Sequence, residues 1–157
     1  MADQRTPEAN LAALGLTLPA APSPAGNYVS AKQVGELLYL SGVVSADANG
    51  IITGMAGADS TVEQGYAAAR ACALTLLAVI KRHLGSLDRV AEVVAVNGYV
   101  NAEPGFADSP GVINGASDLL AQVFGEAGRH VRAALGVSAL PRNALVEVQM
   151  TVRVNGE

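Results

Sequence analysis

The sequence predicts an α+β fold in which two long helices cover one face of a β-sheet. Apolar residues recur at every second position in residues 131–137 and 146–154, as in strands, and at three- and four-residue steps in two central segments, as in helices. A further strand pattern separates the two helices. This order favours a sheet with both helices on one face. The other face then needs a cover, which oligomer formation would supply.

Length, composition and charge indicate a single domain without a nucleic-acid partner. The 157 residues, half of them apolar, are enough to bury a core without metals or disulfides, so we expect one domain spanning residues 1–157. The formal net charge is −4 at pH 7. Nucleic-acid binding depends on clustered lysine and arginine, so this charge argues against it.

Residue usage predicts a cytoplasmic location. The first ten residues lack the apolar core of a signal peptide, and no apolar run approaches the length of a membrane span. We therefore expect no membrane partner. Cys72 is the only cysteine and cannot form an internal disulfide, which favours a small buried side chain in a reducing compartment.

Residues 1–24 form a predicted N-terminal extension. Thr6 can cap a short helix that begins at Pro7 and is expected to end near Leu14, because proline is accepted in the first helical turn. The proline-rich segment 18–24 must then run extended.

The next segment predicts short strands joined by turns. Residues 28–31 and 37–41 have strand character, and the break at residues 35–36 suggests a hairpin between them. Residues 47–50 are a strong turn signal, and residues 51–53 are expected to form a short strand after it.

Two amphipathic helices follow, with one strand between them. A capping-box pattern at residues 60–63 opens the first helix, which is predicted to end near Gly85. Residues 90–100 have the β-branched content of a strand. The second helix is predicted to begin at Ser109 and to end near Gly125.

Two strands at the C-terminal end are predicted to bring an arginine and a glutamate together. In residues 131–137 and 146–154, apolar residues alternate with others, so Arg132 and Glu147 both point away from the predicted apolar face. Small residues beside Arg132 leave room for a ligand. Two plainer alternatives remain, a structural ion pair between the two side chains and an ordinary solvated position for Glu147.

Four separated motifs give the chain a family resemblance. Arg132 precedes Pro141 by nine residues and Glu147 follows six residues later. The other motifs are Gly26-Asn27-Tyr28, Ser41-Gly42 and Val112-Ile113-Asn114. In these motifs the chain resembles the YjgF/YER057c/UK114 family, also called Rid, whose best-known members are enamine and imine deaminases.

The resemblance implies a fold, an assembly and a reaction. The fold is chorismate-mutase-like, and the assembly is a homotrimer with a central barrel and three sites at its subunit interfaces. The reaction is hydrolysis of 2-enamine or 2-imino acids to 2-keto acids and ammonia, so the expected partner is a small carboxylate-bearing imine or keto acid. No metal or organic cofactor is implied.

The resemblance also assigns roles to residues. Arg132 would grip the substrate carboxylate, since a planar guanidinium offers a bidentate match, and Glu147 would position or activate water. The implied substrate-binding residues are Tyr28, Ser41, Gly42, Asn114 and Ala134, of which Gly42 would allow close backbone approach. Without the resemblance, a tyrosine such as Tyr28 is more often a core-edge aromatic than a ligand contact, and Asn114 is open to interpretation as a residue that satisfies local backbone groups.

Several residues depart from the family pattern and keep other functions open. Ala134 stands where many members have cysteine, Ser117 replaces a common aromatic residue, Gln149 replaces a second acid, and residues 101–110 form a longer segment. These departures favour, as an alternative, a non-catalytic module that binds a small carboxylate. The endoribonuclease activity often attached to the family would need a basic RNA track, which this acidic chain lacks.

The number and spacing of the histidines do not indicate a metal site. The sequence has two, His83 and His130, and their wide separation does not match metal-ligand spacing.

Overall fold

The structure is a computed structural model that describes residues 5–156. The first four residues of the predicted extension (1–24), and residue 157 at the end of the predicted domain, lie outside the described residues. In chain order the helices and strands are α1 (Pro7–Ala13), β1 (Ala31–Val34), β2 (Leu37–Leu40), β3 (Val43–Val44), β4 (Ala46–Asp47), β5 (Gly50–Ile51), α2 (Val62–Leu84), β6 (Val90–Asn101), α3 (Ser109–Phe124), β7 (Val131–Val137) and β8 (Val146–Val154).

The main sheet is mixed, and β8 lies at its centre. The strand order is β1-β2-β8-β6-β7, and β3 also pairs with β8. The pair β6 and β7 is parallel, whereas every other pair is antiparallel. Strands β4 and β5 form a separate small ribbon. The predicted α+β class is confirmed.

The core lies between the sheet and the two long helices. On β8 the side chains at every second position from Val146 to Val154 are buried, while those between them are half-buried. Helices α2 and α3 pack against each other and against the same face of the sheet, α2 over β8 and α3 over β6. Alternate burial on the central strand therefore fixes which face of the sheet receives the helices.

The helix caps confirm the two predicted long helices and identify their capping residues. Thr61, rather than Ser60, caps α2, because its hydroxyl accepts from the Gln64 amide at 3.1 Å and the Gln64 side chain accepts from the Thr61 amide at 2.8 Å. Asp108 caps α3 by accepting from the Gly111 amide, and the helix begins at Ser109 as predicted.

The first strand of the first hairpin lies later in the chain than the sequence predicts. The two-residue turn at residues 35–36 pairs Val34 with Leu37, so the paired strand is Ala31–Val34 and not the predicted 28–31. Tyr28 precedes the ladder, where its hydroxyl accepts from the Ala25 amide at 3.3 Å.

Gly115 permits the close approach of α2 and α3. A Cβ atom at Gly115 would overlap the backbone carbonyl oxygen of Tyr66. Backbone cannot move aside as a flexible side chain can, so we expect Gly115→Ala to lower the free energy of unfolding by about 1–3 kcal/mol. Urea denaturation measures this loss. The exposed Gln122→Ala, also on α3, should stay within about 0.5 kcal/mol of the wild type, and equal stability of the two variants would contradict the packing argument.

Candidate functional site

Arg132 is held by neutral groups of helix α3. Its Nη1 donates to Asn114 Oδ1 at 2.8 Å and to Ser117 Oγ at 3.2 Å, and its Nη2 lies 3.5 Å from the Pro110 carbonyl oxygen. Within residues 5–156, no carboxylate forms an ion pair with Arg132. The side chain is exposed. An oriented guanidinium without a counter-charge can bind an anionic ligand.

The structure places Arg132 on the face opposite to the predicted one. The register Val96↔Arg132 puts Arg132 on the helix side of the sheet, while Val131 and Leu135 point the other way and are 71% and 54% exposed. Gly136 lets the start of α3 approach this edge strand, since a Cβ atom there would lie 3.5 Å from Ser109 Oγ. The prediction that Arg132 lies beside Glu147 is therefore wrong for a single chain. The alternative of an ion pair between the two is excluded for the same reason.

Glu147 lies on the face of the sheet without helices. It pairs with Val44 on β3 and with Tyr99 on β6, and its carboxylate makes no hydrogen bond or ion pair with any of residues 5–156. Partial burial raises the pKa of Glu147 above its ordinary value. A Cβ atom at Gly42 would lie 3.3 Å from Glu147 Cδ, so the glycine allows close approach to the carboxylate.

Glu147 faces a cavity of about 830 Å³. Tyr28, Ser41 and Gly42 line the cavity near Glu147. Most of its remaining wall is apolar, and includes Val43, Val44, Ile51 and Val79. A largely apolar wall with a few polar groups is typical of small-molecule sites.

The N-terminal strap, defined as residues 19–26, closes one side of this cavity. Arg82 on α2 holds the strap, since its Nη1 donates to the Ala21 carbonyl and its Nη2 to the Pro22 carbonyl, each at 3.2 Å. Ser41 Oγ fixes the chain beyond the strap by donating to the Val29 carbonyl at 2.6 Å. Part of the predicted N-terminal extension is thus a wall of the candidate site.

Arg142 is a cavity residue that the sequence reasoning missed. It adopts a left-handed conformation with φ 58°, as does Asn143 with φ 57°. The buried Asn101 side chain supports this turn by donating to Asn143 Oδ1 at 3.3 Å and to the Gly54 carbonyl at 2.8 Å. Asn143 was a usable signal, because asparagine tolerates positive φ, but nothing in the sequence placed the Arg142 side chain.

The predicted site residues therefore form two groups on opposite faces of the sheet. We call Asn114, Ser117 and Arg132 the arginine half-site, and Tyr28, Ser41, Gly42 and Glu147 the glutamate half-site. Ala134 lies on β7 beside the arginine half-site, paired with Gly98, and packs on the core. Strand β6 separates the two groups.

Comparison with known proteins shows the family. The profile of the family described as "YjgF/chorismate_mutase-like, putative endoribonuclease" matches residues 8–154. The chain belongs to this family. The resemblance to the YjgF/YER057c/UK114 (Rid) family that the sequence motifs predicted is thereby confirmed.

Two curated relatives and one solved structure place the chain within the family. Protein TCP17 of Trypanosoma cruzi is 50% identical over 149 residues, covering 94% of this chain and 93% of that protein. The 2-iminobutanoate/2-iminopropanoate deaminase of Dermatophagoides farinae is 29% identical over 139 residues, covering 87% of this chain and 93% of that protein. The crystal structure of Atu1372, a protein of unknown function from Agrobacterium tumefaciens, matches with a TM-score of 0.87 at 41% identity. The match covers 96% of this chain and 93% of that chain.

Two further features concern ligands and membranes. Within residues 5–156, no group of three or more histidine, cysteine or acidic side chains is placed to hold a metal ion. No helix in that part of the chain is long and apolar enough to span a membrane.

Removal of the Arg82 side chain, which holds the strap by two hydrogen bonds, should make the strap more mobile. We expect Arg82→Ala to speed amide hydrogen exchange in peptides covering residues 19–26, because two carbonyl partners are lost, and to leave exchange in α3 unchanged. Arg70→Ala is the matched control, since Arg70 lies on the same helix and contacts Gln122. Hydrogen exchange with mass spectrometry measures the effect, and identical strap protection in both variants would show that Arg82 does not hold the wall.

Proposed function

We propose that the protein hydrolyses 2-imino acids, including those formed from 2-enamines, to 2-keto acids and ammonia. The observation that carries this proposal is the Arg132 guanidinium, which Asn114 and Ser117 orient without neutralising. Such a group suits the carboxylate that every 2-imino acid carries. The deaminase name of the Dermatophagoides farinae relative supports the same reaction. Water is the only co-reactant, and no cofactor is required.

The proposal includes a homotrimer in which each active site is shared by two copies. The two half-sites lie on opposite faces of one sheet, so a site containing both must join different surfaces of neighbouring chains. Joining unlike surfaces gives a head-to-tail interface, and a rotation of one third of a turn between copies would close it into a three-membered ring. Exposed Val131, Leu135 and Tyr39 on the face without helices supply apolar area for burial in a central barrel.

In the proposed site, Arg132 of one copy holds the carboxylate and Glu147 of the next orients water toward the imine carbon. The raised pKa of Glu147 brings its proton exchange closer to neutral pH, which suits acid-base chemistry. Tyr28, Ser41 and Gly42 would border the substrate from the Glu147 side. The cavity of about 830 Å³ exceeds what a three-carbon imino acid fills, and its apolar wall leaves room for a larger substituent.

A non-catalytic carboxylate-binding module is the second candidate. Gln149 favours it, because its amide accepts from Asn97 Nδ2 at 3.0 Å and donates to the Leu40 carbonyl at 2.9 Å, and so supplies no acid or base. In that case Arg132 would bind a 2-keto acid without turnover.

We also infer a cytoplasmic location, which the single, fully buried cysteine supports.

Loss of the Arg132 guanidinium should abolish most of the proposed activity. We expect Arg132→Ala to lower kcat/KM for 2-iminopropanoate by about 10- to 100-fold, because a charge-assisted hydrogen-bonded contact is lost, and Arg132→Lys to recover part of it. Ammonia and 2-keto acid release from freshly generated imine measures turnover. Arg89→Ala, an exposed arginine that donates to the Leu84 carbonyl, is the control. Full activity in Arg132→Ala would reject the assignment, whereas Arg132-dependent binding of pyruvate without turnover would favour the binding module.

Mixing two inactive variants tests whether the site is shared. If Arg132→Ala and Glu147→Gln are each inactive, refolding them together in equal amounts should restore about one quarter of the interfaces to the wild-type combination. Activity should rise accordingly, while native mass spectrometry reports three copies per assembly. A site built within one chain would give no recovery, because neither variant then contains both side chains.

A further inference from the structure

His130 forms a hydrogen-bonded chain with the arginine half-site. Its Nδ1 lies 2.7 Å from the Gly128 carbonyl oxygen, and its Nε2 lies 2.9 Å from Ser117 Oγ. Because a carbonyl only accepts, Nδ1 carries the proton of the neutral ring, which leaves the Nε2 lone pair to accept the Ser117 hydroxyl proton. Ser117 Oγ in turn accepts from Arg132 Nη1 at 3.2 Å.

This chain leaves one free acceptor position beside the carboxylate-binding guanidinium. A hydroxyl has one proton and two lone pairs. The proton of Ser117 goes to His130 and one lone pair is used by Arg132, so within residues 5–156 the second lone pair is unused. Ser117, His130 and Arg132 line a hollow of about 300 Å³, which is wide enough for water. A hydroxyl paired with a base that a third group orients is a general arrangement for activating a proton donor.

We propose that Ser117 and His130 form a proton relay that serves the substrate held by Arg132. This inference rests on the proposed function and adds two residues to its machinery. In the first step the water oxygen bonds to the carbon of the iminium form. One water proton passes to Ser117 Oγ as the Ser117 proton passes to His130 Nε2.

The second step returns the relay to its starting state. His130 gives its proton back to Ser117, and Ser117 protonates the amine nitrogen. The carbon-nitrogen bond breaks and ammonia leaves, while the hydroxyl proton of the intermediate goes to Glu147 as the carbonyl forms. The products are a 2-keto acid, ammonia and one proton, so atoms and charge balance.

The surroundings of His130 keep it in the form that the relay needs. Burial lowers the pKa of His130, the Gly128 carbonyl acts in the opposite direction, and the Arg132 charge lowers the pKa further. The other charged groups at the hollow are Asp118 of α3 and Arg129. Both have partners of their own. Asp118 Oδ2 accepts from the Tyr66 hydroxyl at 2.7 Å, and Arg129 Nη1 lies 3.8 Å from Glu126 Oε1. His130 is therefore neutral at pH 7 and can accept a proton.

Nuclear magnetic resonance tests the relay without reference to turnover. The sequence contains two histidines, so His83→Asn assigns the His130 signals in the full-length protein. We expect the Nδ1-protonated tautomer at pH 7, a pKa below 6.5, and an upward pKa shift in Arg132→Ala. An Nε2-protonated ring would overturn the proposal, because Ser117 could not then pass its proton to His130.

Kinetics test the relay as part of the reaction. We expect Ser117→Ala to lower kcat by about 100-fold with KM within about two-fold, because Arg132 still holds the carboxylate. Ser117→Thr, which keeps the hydroxyl, should recover most of kcat, and His130→Gln should remove the acidic limb of the pH profile. Gln122→Ala on the same helix is the control, and thermal unfolding checks that each variant folds.

The outcomes separate the relay from the proposed function. If wild-type protein hydrolyses 2-imino acids in an Arg132-dependent manner and Ser117→Ala retains full kcat, the relay is rejected and the function stands. If the wild-type protein accelerates no imine hydrolysis, both are rejected.

Discussion

The pairing of β8 on both edges is the constraint on which the rest of the structure depends. Its buried side chains face α2 and α3, and its two ladders hold β2 and β3 on one edge and β6 on the other. A slip of one residue would turn Glu147 into the core and Met150 toward solvent. The same register sets the face of β6, and through the parallel pairing that of β7, so it also determines where Arg132 lies.

This register separates the two ionisable groups that the proposed reaction needs. Arg132 contacts α3, while Glu147 lies on the other face of the sheet and lines the cavity that the N-terminal strap closes on one side. Neither group forms an ion pair with any of residues 5–156. A guanidinium and a carboxylate close together in one chain would form an ion pair and lose their capacity for ligands. Their separation keeps both available, and in the proposed mechanism a second chain completes the site.

The elements that the sequence predicts well are those with one unambiguous apolar face. The alternating valines of β8 and the apolar residues at three- and four-residue spacing in α2 each permit a single orientation. The structure confirms the predicted orientation of both elements. The sequence predicts the wrong face for the side chains of β7, because Ala133, Ala134 and Gly136 suit either face and alternation does not distinguish the two faces. The strap and the contact between His130 and Ser117 depend on tertiary approach of distant segments, which local periodicity does not encode.

The Arg132 charge links substrate binding to the basicity of His130 in the proposed mechanism. In the free protein that charge lowers the pKa of His130, and the ring stays neutral. A bound carboxylate compensates the guanidinium, which removes the repulsion that an imidazolium would experience. His130 therefore becomes a stronger base when substrate is present, and substrate binding and base strength are coupled through one side chain. In the proposed trimer, Glu147 lies outside this coupling until a neighbouring chain brings it to the carboxylate, so assembly and substrate binding would together complete the site.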